Sequence, residues 1–291
     1  MNRLLLLLVF FLFGGIWCDH RLSSEESQYW KANCGTKPHH SRRFESRRIA
    51  GGQPIQGDAA PWAVLLESVT GSCSGTIISP RHVLTVSHCL MANSTEYDYR
   101  LQQARRECSD WDWISYPGIS WFNIKNSYGK LLSNKVSRVI MMNYCYQPNN
   151  LYDDMMILEL SENIQLDDYA YPACVSSNPN FQEINNQVRI TAYGHNSWYW
   201  FNDDGLGTYM LRSGVFQIFQ YYNDGRFMWL SGQNSGVNTR PGDSGGSVIL
   251  YENGRYYVIG AFSYGYQNHF WSGVSSVFAH HHQICKHTGI C

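Results

Sequence analysis

The sequence is short of charge and of long apolar runs. Only 15% of its 291 residues are charged and the formal net charge is −1, so nothing in the balance invites nucleic acid as a partner. One apolar run stands out, Leu4 to Phe13, preceded by Met1-Asn2-Arg3 and followed by Gly14-Gly15-Ile16-Trp17-Cys18. It falls short of the roughly 20 residues a spanning helix needs. It reads as a secretory signal peptide over residues 1–18, cleaved near Cys18 rather than kept as a signal anchor. No second run approaches that length, so the expected mature protein is soluble, outside the cell and without a membrane partner. Only one usable N-glycosylation sequon occurs, at Asn93-Ser94-Thr95.

Few segments ask to be helix. Ala63 to Leu66, Thr76 to Ser79, His82 to Thr85, Met155 to Leu160, Val188 to Tyr193, Tyr209 to Tyr222, Ser247 to Tyr251 and Tyr256 to Ser263 are short apolar or alternating runs between turn residues. Asn253-Gly254 and Asp224-Gly225 favour type I′ turns and predict two hairpins. The pattern alone gives an all-β sandwich or barrel, and the length suits one large or two small β domains. Nine cysteines become eight once Cys18 leaves, an even number in a compartment that permits disulfides.

The chemistry centres on Arg240-Pro241-Gly242-Asp243-Ser244-Gly245-Gly246. Glycines around a serine permit tight turns that aim successive N–H groups at one point, where a tetrahedral intermediate collects negative charge. The donors of such an oxyanion hole would be the N–H groups of Gly242 and Ser244. A serine hydroxyl needs a histidine to take its proton and a carboxylate to orient that histidine. His88 and Asp154 can fill those roles. Of the neighbouring alternatives, Asp153 would point to the opposite face of a strand, and His82 reads as a surface histidine.

These residues resemble the chymotrypsin-like (trypsin-like) serine peptidase family. Its Gly-Asp-Ser-Gly-Gly motif stands at Gly242 to Gly246, its Thr-Ala-Ala-His-Cys motif at Thr85-Val86-Ser87-His88-Cys89, and its Asp-Ile-Ala-Leu-Leu-x-Leu motif at Asp154 to Leu160. The order His88, Asp154, Ser244 is that of chymotrypsin. The resemblance runs from Ile49 to about Phe278. It implies two six-stranded antiparallel β-barrels with a C-terminal helix, the catalytic residues lying in the cleft between them. It further implies a zymogen: a propeptide over 19–48, read as exposed, is cut at Arg48-Ile49-Ala50-Gly51-Gly52 by an activating protease. The new ammonium group of Ile49 would then pair with Asp243, leaving a peptidase domain over 49–291. Two disulfides are carried over, Cys73 with Cys89 and Cys34 with Cys174. The remaining four cysteines would pair as Cys108 with Cys145 and Cys285 with Cys291.

Substrate binding is implied at Ser263-Tyr264-Gly265, a strand that pairs with an extended peptide, and at Gly273, on the far wall of the specificity pocket. Where trypsin-like members carry an aspartate at the pocket base, this chain has Asn238, which argues against cleavage after Arg or Lys and suits an uncharged side chain. The chain departs from the family around that pocket: Thr239-Arg240-Pro241 replaces the usual cysteine, and the loop Tyr266 to Phe270 lacks its partner. Between Met91 and Ser137 an insertion is expected, read as a surface excursion packed on its own aromatics rather than a substrate-screening loop. His280-His281-His282 and His287 beside Cys285 and Cys291 read as a solvated helix face, with no metal and no cofactor expected. The reading is therefore a secreted serine endopeptidase that acts as a monomer on peptide or protein substrates through an acyl-enzyme on Ser244. The alternative is a catalytically silent homologue serving as a binding module.

Overall fold

A computed structural model describes residues 20–36, 53–55, 57–68, 71–91, 105–116, 122–145, 153–194, 210–222, 224–266 and 269–291. Seventeen strands run in two sheets among them. They are β1 (Gln53–Pro54), β2 (Ala63–Ser68), β3 (Gly71–Ser79), β4 (His82–Thr85), β5 (Arg105–Ser109), β6 (Asp112–Tyr116), β7 (Asn123–Lys125), β8 (Leu131–Ser133), β9 (Val136–Met141), β10 (Met156–Leu160), β11 (Cys174–Val175), β12 (Gln187–Ala192), β13 (Arg212–Tyr222), β14 (Phe227–Ser231), β15 (Ser247–Glu252), β16 (Arg255–Tyr266) and β17 (Trp271–Ser276).

The first sheet has the order β5-β6-β9-β10-β4-β3-β2-β7-β8. In the second, β13-β12-β15-β16-β17-β14 closes on itself through β13–β14 pairing, which makes a six-stranded antiparallel barrel, with β1 and β11 added outside it. Closure satisfies every strand edge within the barrel. Period-2 alternation is plain in β13, where Ser213, Val215 and Gln217 face away from Phe216 and Ile218 of the core. Strand β10 is buried throughout because it is central, lying between β9 and β4. The Asn253-Gly254 turn has φ values of 49° and 81°, the left-handed pair a type I′ turn requires.

The topology explains how distant residues meet. Strands β4 and β10 are antiparallel with Thr85 opposite Met156, so the chain leaving β4 and the chain entering β10 share one end of the sheet. His88 lies just past that exit and Asp154 just before that entry. Ser244 comes from the second sheet's barrel, on the turn before β15. Two bonds stitch that turn between the sheets: Ser74 N–H of β3 donates to Ser244 O at 2.7 Å, and Gly245 N–H donates to Phe262 O of β16 at 2.7 Å. Gly245 has φ 79°, and a Cβ there would stand 2.1 Å from Ser74 O, so only glycine fits.

Three expectations are corrected by the packing. Residues ahead of the cleavage sequence are not simply exposed: Ser24–Asn33 is a helix, started by a capping box in which Ser23 and Glu26 bond each other's backbone N–H. Leu22 and Cys34 are buried at its two ends, Arg81 bonds Glu26 at 2.8 Å, and Arg255 donates to Lys31 O and Ala32 O. The stretch after Met91 is no separate excursion. Its β5–β6 hairpin extends the first sheet beside β9, its β7–β8 hairpin extends it beside β2, and Trp113 and Phe122 belong to the first sheet's core. Nor is the C-terminal helix, His281–Thr288, a solvated row of histidines. His280 and His287 are buried against Asp153 (3.1 Å) and Asp112 (2.7 Å), His281 is half-buried, and His282 is exposed.

Disulfides join Cys34–Cys174, Cys73–Cys89, Cys108–Cys145 and Cys285–Cys291. Among the described residues no helix is long and apolar enough to cross a membrane. The signal-peptide reading, Arg48 and Ile49 at the activation sequence, and the sequon at Asn93 lie outside the described residues.

Candidate active site

His88 opens a single helical turn, His88–Met91, pinned by the Cys73–Cys89 bridge. Its backbone N–H donates to Asp154 Oδ1 at 3.0 Å, while its Nδ1 lies 2.6 Å from Asp154 Oδ2. On the other side of the ring, Nε2 lies 2.8 Å from Ser244 Oγ. Asp154 is 4% exposed and receives a further bond from Ser263 Oγ at 2.5 Å. Burial pushes the Asp154 carboxyl up, but the His88 hydrogen bond and charge, with Ser263, outweigh it and hold it below the usual carboxylate range. Burial likewise pulls His88 down, and its bond to Asp154 more than reverses this, so the imidazole is raised above its ordinary value. A buried anion therefore fixes which ring nitrogen carries the proton and leaves Nε2 free to accept one from Ser244.

Adjacent acids take separate histidines. Asp153 turns away from His88 to bond His280 Nε2 and, at 3.0 Å, Arg226. His82, read from sequence as a surface residue, has 0% exposure; Ser79 Oγ lies 2.7 Å from its Nδ1, and Glu159 lies 3.4 Å from its Nε2. Its ring nitrogens face Ser79 and Glu159 of the first sheet rather than Ser244. Nothing in its local sequence signalled this, because Glu159 reaches it across the β4–β10 pairing.

The glycine turn around Ser244 is held rigidly. Gly242 has φ 91°, a region where a side chain is strained. Ser74 Oγ donates to Gly242 O at 3.0 Å and accepts from Tyr193 N–H at 2.9 Å. Behind it Asp243 is fully buried, its carboxylate oxygens accepting N–H groups of Gly194 (2.9 Å) and Arg240 (2.7 Å). Burial pushes its carboxyl up to about 7 despite those bonds and the nearby Arg240 and Arg212.

Beside Ser244 opens a pocket of about 340 Å³. Its walls are Thr239, Arg240 and Pro241 on one side and Phe262 to Gly265 on the other, with His88 and Ser244 at the mouth. Gly265 leaves it open, since a Cβ there would stand 2.5 Å from Thr239 Oγ1. Asn238 and Gly273 are not among the lining residues. Asn238 is buried with its Oδ1 accepting Thr239 N–H at 2.9 Å, and Gly273 packs on the Phe227 ring. The Thr239-Arg240-Pro241 run noted beside the pocket in the sequence does line it, whereas Phe262 was missed from sequence and no local signal marks it. Within the C-terminal segment, His281, Cys285 and Cys291 cluster closely, but the two sulfurs are bonded to each other.

Comparison with known proteins places this geometry. The chain is 24% identical over 236 residues to Chymotrypsin-C of Mus musculus, covering 76% of this chain and 79% of that protein. It is 25% identical over 279 residues to Melanization protease 1 of Drosophila melanogaster, covering 86% of this chain and 67% of the relative. With Serine protease ea of Drosophila melanogaster it shares 24% identity over 241 residues, spanning 76% of this chain but only 61% of that relative's length. The sequence matches the nematode trypsin-6-like family (DUF316) over residues 4–291, and so the chain belongs to that family of divergent chymotrypsin-like serine peptidases.

Proposed function

We propose that the protein is the secreted zymogen of a serine endopeptidase, acting as a monomer on peptide or protein substrates, with His88, Asp154 and Ser244 as its catalytic residues. The reading is carried by one observation: Ser244 Oγ stands 2.8 Å from a histidine nitrogen whose ring partner is a buried carboxylate. Ser244 Oγ forms a bond to the scissile carbonyl carbon while its proton passes to His88 Nε2. The carbonyl oxygen becomes an oxyanion facing the N–H groups of Gly242 and Ser244. As the C–N bond breaks, His88 returns the proton to the leaving amine. Water then attacks the acyl-enzyme, giving its proton to His88, and the acid product leaves as Oγ regains a proton. Asp154 stabilises the imidazolium and does not take the proton.

Cleavage after Arg48 is the proposed activation step. Asp243 supports it physically, since its fully buried carboxyl is pushed up to about 7 even with its backbone N–H bonds and the nearby Arg240 and Arg212, and an arriving ammonium of Ile49 would favour the ionised form. The Cys34–Cys174 bridge would keep the N-terminal segment attached after the cut. A fluorophosphonate probe, applied before and after controlled cleavage at Arg48-Ile49 with a Ser244→Ala control, tests the reading. Labelling confined to the cleaved protein and absent from the control is expected. A folded, cleaved protein that resists the probe would instead be a binding module. On this reading Ser244→Ala or His88→Ala lowers turnover by about a million-fold, because the two act as one unit.

A further inference from the structure

Asp153 and Asp154 are neighbours just before β10, and each reaches from the first sheet to the second sheet's barrel. Asp154 takes Ser263 Oγ of β16 at 2.5 Å while holding His88. Asp153 meets two donors from other parts of that barrel. Arg226 Nη1, from the turn between β13 and β14, lies 3.0 Å from its Oδ2, and His280 Nε2, beyond β17, lies 3.1 Å from its Oδ1. Both partners are tied to Ser276 at the end of β17. Ser276 N–H donates to Arg226 O at 2.9 Å, and His280 Nδ1 lies 2.7 Å from Ser276 O. The Asp153 side chain is only 2% exposed in this cluster. Burial pushes its carboxyl up, and His280 and Arg226 outweigh that and hold it below its usual range.

The backbone connects this cluster to the catalytic candidates. Met155 N–H donates to Asp153 O at 2.9 Å, which makes a three-residue turn with Asp154 at its apex. On the far flank of that turn, Met155 O accepts from Met142 N–H at 3.0 Å and from Ser87 Oγ, next to His88, at 3.2 Å. The turn that aims the Asp154 carboxylate is therefore held on one flank by the second sheet's barrel and on the other by the first sheet. We propose that Asp153 is a positioning residue for the reaction at Ser244: clasped by Arg226 and His280, it fixes the turn that holds Asp154 against His88 while His88 faces a nucleophile from the other sheet. The assignment rests on the peptidase reading above. A misplacement of about 1 Å at a reacting centre costs on the order of a hundredfold in rate, whereas a purely structural ion pair would change only how much of the protein is folded.

The test uses the full chain cleaved after Arg48 and a side-chain-free fluorophosphonate in excess, and it separates those two effects. The labelled fraction reads how much protein is folded, and the rate constant reads the alignment of Ser244, His88 and Asp154 within that fraction. Asp153→Asn keeps the shape of the side chain, removes its charge, and should lower the rate constant by about tenfold or more. The Arg226 side chain is 45% exposed, so Arg226→Ala opens the same clasp from its solvent side. It should lower the rate constant in the same direction, and Arg226→Lys should recover part of the loss. Burial lowers His88 and its bond to Asp154 more than reverses this, so a loosened bond should also move the acid-side midpoint of the rate downwards in pH. A rate constant equal to that of the wild type overturns the assignment, whatever the labelled fraction. So does a slower rate with an unmoved midpoint, because the loss would then not pass through Asp154. Should Asp153→Asn yield no folded protein, the Arg226 variants decide by the same two readings. Failure of the cleaved wild type to label is a separate result, which removes the peptidase reading itself.

Discussion

Asp243→Asn in the intact, uncleaved chain should become progressively more stable relative to the wild type as pH rises. The Asp243 carboxyl is fully buried and pushed up to about 7 by that burial. In the unfolded chain it titrates near about 4. A group whose folded pKa is raised contributes stability that is complete below its unfolded pKa and is lost as pH rises through the folded one. The window is therefore pH 4 to 7, about three units at roughly 1.4 kcal/mol each, or about 4 kcal/mol in all. Asparagine is neutral throughout, so its own packing and hydrogen-bond penalties do not vary with pH and cancel from the comparison. Urea unfolding with disulfides intact, on wild type and variant at pH 4 and pH 8, reads the difference directly. A difference between the two proteins that moves by less than about 1 kcal/mol across that range would refute the claim that Asp243 is buried at a cost. In the cleaved protein the trend should shrink or reverse, because the Ile49 ammonium group of the proposed active form favours the ionised carboxylate.

Turnover of the activated enzyme should fall on the acid side with a midpoint above about 6.5, since His88 must be neutral to accept a proton and Asp154 raises its pKa. An acid limb below that value, measured as kcat/KM against pH, would contradict the bond between them. Glu159→Ala should cost about 3–5 kcal/mol in urea unfolding, because Glu159 is buried and its removal breaks the charged bond to Arg138 at 2.6 Å beside His82. A cost under about 1 kcal/mol would show that water reaches the pair. Asp112, Asp153, Asp154 and Glu159 are all held below the carboxylate range by their partners, despite burial that raises each. Their contribution is present above about pH 4 and lost as pH falls through their folded values, so acid unfolding should begin below about pH 4.

Strands β2, β3, β4, β10, β12, β13, β15 and β16 were legible because each is a short apolar or alternating run closed by turn residues, and Asn253-Gly254 specified its hairpin by φ alone, whereas β5 to β9 of the first sheet were not read as strands. The catalytic candidates were legible as well, since glycine spacing around Ser244 and the flanking motifs of His88 and Asp154 are local. The capping box at Ser23 to Glu26 was also written in the sequence, although the polar composition around it reads as an exposed segment. What local sequence could not decide was anything set by partners far along the chain. The N-terminal helix is docked by Cys34, 140 residues from Cys174, and by Arg255. His82, His280 and His287 look alike as isolated residues, and each is buried only because a carboxylate from another element reaches it. Asn238, read from sequence as the base of the specificity pocket, turns to Thr239 N–H, while Arg240 lines the pocket. Motif residues are fixed by short-range backbone needs, so sequence determined them. Which side chains line the pocket beside Ser244 depends on what the folded walls bring together, and only the tertiary structure decided that.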